Sequence, residues 1–173
     1  MSHTHEVIRR GLVLYARLAL GVGFLSAVAD RFGLWGPSGG RNVAWGDFSH
    51  FLTYTAKLNP YLPSSLVPGL GWFVTISEIA LGVLLIAGLA PRVVAALSGA
   101  LLLAFATGMT IGTGVKTAFD ASVFAASAGA FLLALESQPA SSEAGTNGAA
   151  DHLTASDACS TLARKASDLN NLG

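Results

Sequence analysis

The stretch LGWFVTISEIALGVLLIAGL, running from Leu70 to Leu89, decides the fold. It holds one charged side chain, Glu78, and no proline. Wound as an α-helix it is about 30 Å long, the thickness of the hydrocarbon core of a bilayer. A helix that is apolar all round must lie in lipid or deep inside a protein. The rest of the chain decides between the two. Of its 173 residues, 52% are hydrophobic and 12% are charged, with a mean hydropathy of +0.57. A soluble domain carries about 25% charged residues. Between Leu70 and Leu135 the only ionisable side chains are Glu78, Arg92, Lys116 and Asp120. Such a segment cannot face water on every side, so lipid is its surroundings.

Working outward, three more spans are expected. The first covers residues 11–29, preceded by Arg9 and Arg10 and closed by Asp30 and Arg31. A cleaved signal peptide is the rival reading, with Ala27-Val28-Ala29 as its cleavage site. Arg17 in the middle of the apolar run argues against it, and the arginine pair lacks the flanking pattern of a twin-arginine signal. After Leu89 the residues Ala90-Pro91-Arg92 make a tight turn into a third span, 93–109. A link rich in glycine and threonine, Gly108 to Gly114, leads to a short fourth span at 119–135. That link is not a phosphate loop, because the Gly-Lys-Ser/Thr order is missing. The expected fold is all-α: an integral membrane four-helix bundle over residues 1–137, with spans 11–29, 70–89, 93–109 and 119–135.

Residues 32–68 form a long first loop. Gly36-Pro37-Ser38-Gly39-Gly40 reads as a turn, and Pro60, Pro63 and Pro68 interrupt any helix. Between these breaks Phe48, Phe51, Leu52 and Thr55 recur at helical spacing, which predicts a short amphipathic helix. Trp35, Trp45, Tyr54, Tyr61 and Trp72 suit the level of the lipid headgroups. The loop is read as interfacial and packed on the bundle, with a lid over a site as the other reading. Residues 138–173 form a polar tail, with disorder expected at 139–154 and a short helix at 157–169 capped by Ser156.

Small residues at i, i+4 and i+8 let membrane helices approach closely. Ala19, Gly23 and Ala27 form such a stripe on the first span, and Ala121, Ala125 and Gly129 on the fourth. Ala95 and Gly99 begin one on the third, and Glu78 shares a face with Gly82 on the second. The distribution of arginine and lysine favours both termini on the cytoplasmic side of the cell membrane.

Composition also excludes several functions. The formal net charge is zero, without the basic stripe that nucleic-acid binding needs. A single cysteine, Cys159, offers neither a disulfide framework nor a C-x-x-C motif. His3 and His5 near the terminus are read as a loose segment rather than a metal site. No metal is expected.

Arg17 and Glu78 are the informative charges. A charge at the centre of a membrane helix costs about 2.5–3.5 kcal/mol on insertion scales and needs a partner or a wet cavity. Counted from the expected span ends, the two lie about 9 Å apart in depth, which a guanidinium can nearly cover. The expectation is therefore a polar site formed by Arg17 and Glu78. The bland alternative is that the pair only sets helix register, or that Arg17 snorkels to the interface. Lys116 and Asp120, four apart, are expected to pair near the outer mouth.

These residues also carry a resemblance. The segment from Glu78 through Gly82 to Gly88-Leu89-Ala90-Pro91-Arg92 resembles the second-helix signature of the DoxX and DoxD-like membrane family. Arg17, Leu18, Gly21 and Phe24 are similar to the family's opening R-L-x-x-G-x-x-F pattern, and Lys116 before the last span also fits. The likeness covers about residues 7–135 and leaves the tail outside. It implies a four-helix membrane protein. Some family members are membrane subunits of thiosulfate:quinone oxidoreductases, and others are linked to redox complexes without an assigned reaction. The resemblance marks Arg17, Glu78, Gly82 and Arg92 as signature positions. The chain departs from a complete redox enzyme in having no cysteine pair, no histidine within a span, and no haem or flavin motif.

The leading expectation is a non-autonomous subunit that interacts with quinone, or anchors a soluble redox partner at the lipid surface. No cofactor is expected in the chain itself beyond that quinone. A small solute or proton transporter using Glu78, working as a homo-oligomer, is the second reading. A structural or assembly protein without catalysis is the third.

Overall fold

A computed structural model describes residues 2–137, and these are all-helical with turns and loops between the helices. Six α-helices follow in order: α1 Ser2–Arg31, α2 Phe48–Leu58, α3 Val67–Ala87, α4 Pro91–Thr113, α5 Val115–Asp120 and α6 Val123–Glu136. The expected disorder at 139–154 and helix at 157–169 lie outside the described residues. Three helices are long and apolar enough to cross a membrane, within His3–Arg31, Ser64–Ala87 and Pro91–Thr113. Their outward faces carry large apolar side chains such as Leu12, Tyr15, Phe73, Ile76, Val93 and Leu97, all exposed. A soluble surface avoids contiguous patches of this kind, so the protein is a membrane protein. α6 is apolar but only 14 residues long.

Several boundaries differ from the sequence expectation, each for a physical reason. α1 starts at Ser2 rather than Gly11 because its polar first turns support themselves. Glu6 accepts from Arg9 at 3.0 Å and from Arg10 at 2.8 Å, the i+3 and i+4 neighbours. α4 runs to Thr113, through the segment read as a glycine-rich link. Gly112 is there for contact rather than flexibility, since a Cβ on it would lie 2.5 Å from the Lys57 carbonyl oxygen. Thr107, Thr110 and Thr113 donate their hydroxyls to carbonyls one turn back, at 2.9, 2.7 and 2.8 Å. The expected fourth span is broken into α5 and α6 at Ala121 and Ser122, where Ser122 takes φ 54.

The turn between α3 and α4 follows its sequence. Gly88 takes φ 75, and the N–H of Leu89 reaches back to the Leu84 carbonyl at 3.2 Å. This is a Schellman ending, which glycine accepts without steric cost. Pro91 then opens α4 in its first turn, where a missing N–H costs nothing.

α1 runs antiparallel to α3 and crosses it where two glycines meet. A Cβ on Gly21 would lie 2.9 Å from the Gly82 carbonyl oxygen, and one on Gly82 would lie 3.0 Å from that of Gly21. The close approach therefore uses Gly21, not the expected stripe of Ala19, Gly23 and Ala27. On α4 the expectation holds: Ala95 and Gly99 are buried, and the Phe131 ring covers Gly99. On α6 it does not. Ala125 and Gly129 are exposed, while Ser127, Ala130, Leu133 and Ala134 face inward. Ser127 donates its hydroxyl to the Gly99 carbonyl at 2.9 Å, which ties α6 to α4.

The apolar core lies towards one end of the packed helices. Phe24, Leu81, Leu85, Val94, Ala95, Leu133 and Ala134 form it, near the turn between α3 and α4. The opposite half, beneath α2, is not filled in this way.

Candidate functional site

The unfilled half is walled by α1, α3, α4, α6 and α2. Its charged centre begins at the last residue of α1. Asp30 is buried, and its Oδ2 accepts the backbone N–H groups of Ala44 and Trp45 at 3.1 and 2.8 Å. These two bonds fold the first loop back over the end of α1. Gly33 and Gly46, both at φ 73, allow the backbones to touch there, since a Cβ on Gly33 would lie 2.9 Å from the Gly46 carbonyl oxygen. Arg31 is shut from water by this loop and is 2% exposed.

Arg31 turns inward onto α3. Its Nη1 donates to Thr75 Oγ1 at 2.9 Å and lies 2.5 Å from Glu78 Oε2. Thr75 and Glu78 are one helical turn apart and are 0% and 2% exposed. The Thr75 hydroxyl in turn donates to the Gly71 carbonyl at 2.8 Å. The guanidinium carbon sits 3.8 Å from the centre of the Phe51 ring and 5.3 Å from that of Trp45. A cation against the face of an aromatic ring is attracted by its quadrupole, more strongly when both are out of water.

The polar centre is not fully satisfied. Arg31 Nε and Asp30 Oδ1 are buried without a hydrogen-bond partner, and Glu78 Oε2 meets Arg31 charge to charge without a directed hydrogen bond. Orphaned buried polar atoms carry the cost of their lost hydration and call for an explanation.

Arg31 and Glu78 stand on the wall of a cavity of about 1020 Å³. Most of the lining is apolar, with Phe24, Phe51, Val74, Leu102 and Phe105 among its surfaces. α2 covers one end. Its Asp47 cap accepts the His50 N–H at 2.9 Å, and its far end rests against Gly112. Asp47 also accepts the Ser49 hydroxyl and lies 2.6 Å from the His50 ring. The Ser49 hydroxyl first, then the two groups of His50, hold the Asp47 carboxyl well below its ordinary value of 3.8. Around α2 the rings of Phe32, Phe48, Phe51, Trp45 and Trp72 pack in sequence, with the Phe48 and Trp72 centroids 4.7 Å apart.

The expected pairing of Arg17 with Glu78 is corrected by this geometry. Arg17 donates from Nε to the Leu85 carbonyl at 3.0 Å and from Nη2 to the Ile86 carbonyl at 3.4 Å. Its guanidinium lies over Gly88. It therefore caps the end of α3, where carbonyls lack helical partners and a cation is favoured. Gly88 is ten residues beyond Glu78, about 15 Å along the helix, too far for the side chain to reach. Arg31 lies next to Thr75 and needs to span only one turn.

The other expected residues fall in different places. Lys116 and Asp120 pair at 2.5 Å, but both are exposed and neither lines the cavity. An exposed pair of this kind adds little stability. Gly82 is the crossing point of α1 and α3, and Arg92 is exposed in the first turn of α4. Among the described residues no cluster of His, Cys, Asp and Glu could hold a metal ion. The sequence reading missed Arg31 and Thr75. Thr75 could have been found as the polar residue one turn before Glu78. Arg31 was hidden because it looked like the boundary charge that ends a span. Compared with protein-family models, curated proteins and solved structures, the chain finds no match.

Proposed function

We propose that this chain is a membrane subunit that holds a quinone for a redox complex, with the headgroup at Arg31 and Glu78. The observation that carries the reading is a buried ion pair with unpartnered atoms on the wall of a large apolar cavity. Pockets for small ligands measure roughly 300–1,000 Å³ and combine apolar walls with a few polar groups that orient the ligand. This one is at the upper end, which suits a lipid-soluble molecule with one polar end.

The residues fit such a ligand. A quinone carbonyl accepts hydrogen bonds, and the guanidinium of Arg31 is a fixed donor. Phe51 and Trp45 hold its plane, and Thr75 holds one of its nitrogens. Glu78 lies against the buried positive charge of Arg31 and offsets it. When bound, the quinone supplies the two-electron couple, and a soluble partner docked at the membrane face supplies or removes the electrons. The chain itself binds, orients and keeps water from the headgroup. In this reading α5 and α6 together complete a fourth crossing of the cell membrane, and both ends of the four-helix unit are cytoplasmic.

Gentle native extraction of the tagged protein, with mass spectrometry of the polypeptides and lipids that remain bound, tests the reading. Stoichiometric quinone or a redox enzyme is the expected result, with the quinone lost from Glu78→Gln. A clean protein with neither overturns it. One observation favours a structural role as the second reading: the Arg31–Glu78 pair ties the end of α1 to the middle of α3. Under that role Glu78→Gln weakens the fold and changes no ligand.

A further inference from the structure

We infer that Ala19, Gly23 and Ala27 form a lateral track through which a long apolar chain enters the cavity from the bilayer, with Gly23 setting the admissible ligand. The inference rests on the quinone reading and adds the route and the tail to it.

The three residues have the spacing of a helix-packing stripe, yet the stripe is open at its middle. A Cβ on Gly23 would meet no atom within 4 Å, and Ala19 and Gly23 are exposed. The tight contact with α3 falls instead on Gly21, 200° away around the helix axis at about 100° per residue. All three residues line the same cavity as Arg31 and Glu78. Arg31, 2% exposed and with Nε unpartnered, stands four residues beyond Ala27 on that wall. The stripe thus leads to a polar group that lacks a partner.

The shortness of α6 leaves the outer part of the stripe, Gly23 and Ala27, uncovered by that helix. Arg9 meets Glu136 at 3.3 Å, so the end of α6 lies beside the start of α1. α6 begins thirteen residues earlier, at Val123. Equal rise along two antiparallel helices puts that beginning level with about Val22 of α1. Past this level α6 no longer covers α1, because the chain has bent away at Ser122, φ 54. Ala121, Val123 and Ala126 line the same cavity and are the other edge of the inferred track. α2 contributes Phe51, Tyr54 and Leu58 to the wall of the same cavity, and the inferred opening lies on the lipid side. A chain entering between Gly23 and Ala126 passes small side chains at that point, and its polar end meets Arg31.

Binding is read by quenching of tryptophan fluorescence, with Trp45 on the cavity wall, in nanodiscs carrying the full-length protein. The probes are a quinone with a single prenyl unit and the same headgroup with an octaprenyl tail. Wild type is expected to bind both. Gly23→Leu is expected to weaken the long-tailed ligand by about tenfold or more, the effect of forcing methylenes into an occupied groove, and to keep the short-tailed one within about twofold. Gly23→Ala, which adds one methyl into open space, is expected to bind both, and Ala126→Leu to repeat the leucine effect from the opposite edge. Unchanged binding of both ligands by Gly23→Leu overturns the track and leaves the quinone reading standing. Equal loss of both overturns it too, as does a change of oligomeric state without a tail effect, which assigns the stripe to a second copy of the chain. If wild type binds neither probe, the quinone reading falls and the track with it.

Discussion

Arg31 and Glu78 exchange a large desolvation cost for mutual attraction, and such a balance makes each dependent on the other. Removing one partner of a buried pair costs about 3–5 kcal/mol, because the remaining charge is stranded. Glu78→Leu and Arg31→Met are each expected to lower the unfolding free energy in a mild detergent by an amount in that range. The double variant Arg31→Met/Glu78→Leu is expected to regain most of the loss, since apolar side chains of similar volume replace both charges. Additive losses in the double variant would count against the pair. A second prediction at this scale concerns Asp47. The Ser49 hydroxyl and the His50 groups depress its carboxyl below the ordinary 3.8. The cap on α2 is therefore fully present above that ordinary value and is lost as pH falls through the lower folded value. Hydrogen exchange at the His50 amide, followed down a pH series and corrected for intrinsic rates, is expected to stay protected through the ordinary aspartate range. Loss of protection near pH 4 would show that the bonds to Ser49 and His50 do not hold. The sequence made Glu78 legible as the exceptional charge of its span. It did not reveal the partner, because the span judged by hydropathy stopped at residue 29 and left Arg31 as a boundary charge, while the helix runs on to Arg31.

The helices make two kinds of use of glycine, and substitution separates them. Gly82 lies under the backbone of α1, where a Cβ would come within 3.0 Å of the Gly21 carbonyl oxygen. Gly82→Leu is expected to destabilise the protein by about 1–3 kcal/mol by pushing α1 off α3. Gly129 belongs to the stripe expected on α6, but it faces outward with nothing within 4 Å of a Cβ. Gly129→Leu is expected to stay within about 0.5 kcal/mol of wild type, as for other exposed sites. Thermal unfolding of the two variants in the same detergent checks both. Periodicity alone offered several small-residue stripes, and spacing could not rank them. Which stripe meets a neighbour depends on how each helix is rotated, and that follows from bulky residues such as Phe24 and Phe131 that fill the space between helices.

At the scale of the molecule, the number of crossings fixes which side each end occupies. Three helices reach the length of a membrane span, and α5 with α6 is proposed as the fourth. In a Cys159→Ser background, cysteines placed at Ser2 and at Ser137 are expected to react with an impermeant thiol label from the same side. Labelling from opposite sides would mean that α6 does not cross. The helices are unevenly packed, with an apolar core at one end and the cavity under α2 at the other. That unevenness is where the functional proposal lives, since a bundle filled throughout has no room for a ligand.

Sequence by itself determined that this is a helical membrane protein with long apolar helices, that a turn follows Gly88, and that Glu78 is out of place in lipid. Those features are local: a run of apolar residues, a glycine able to take positive φ, a charge without water. Tertiary structure decided that Arg31 rather than Arg17 answers Glu78, that Gly21 is the crossing point, and that α6 starts too late to cover α1. These depend on the relative slide and rotation of helices. A helix period leaves both free, and only packing against the other helices sets them.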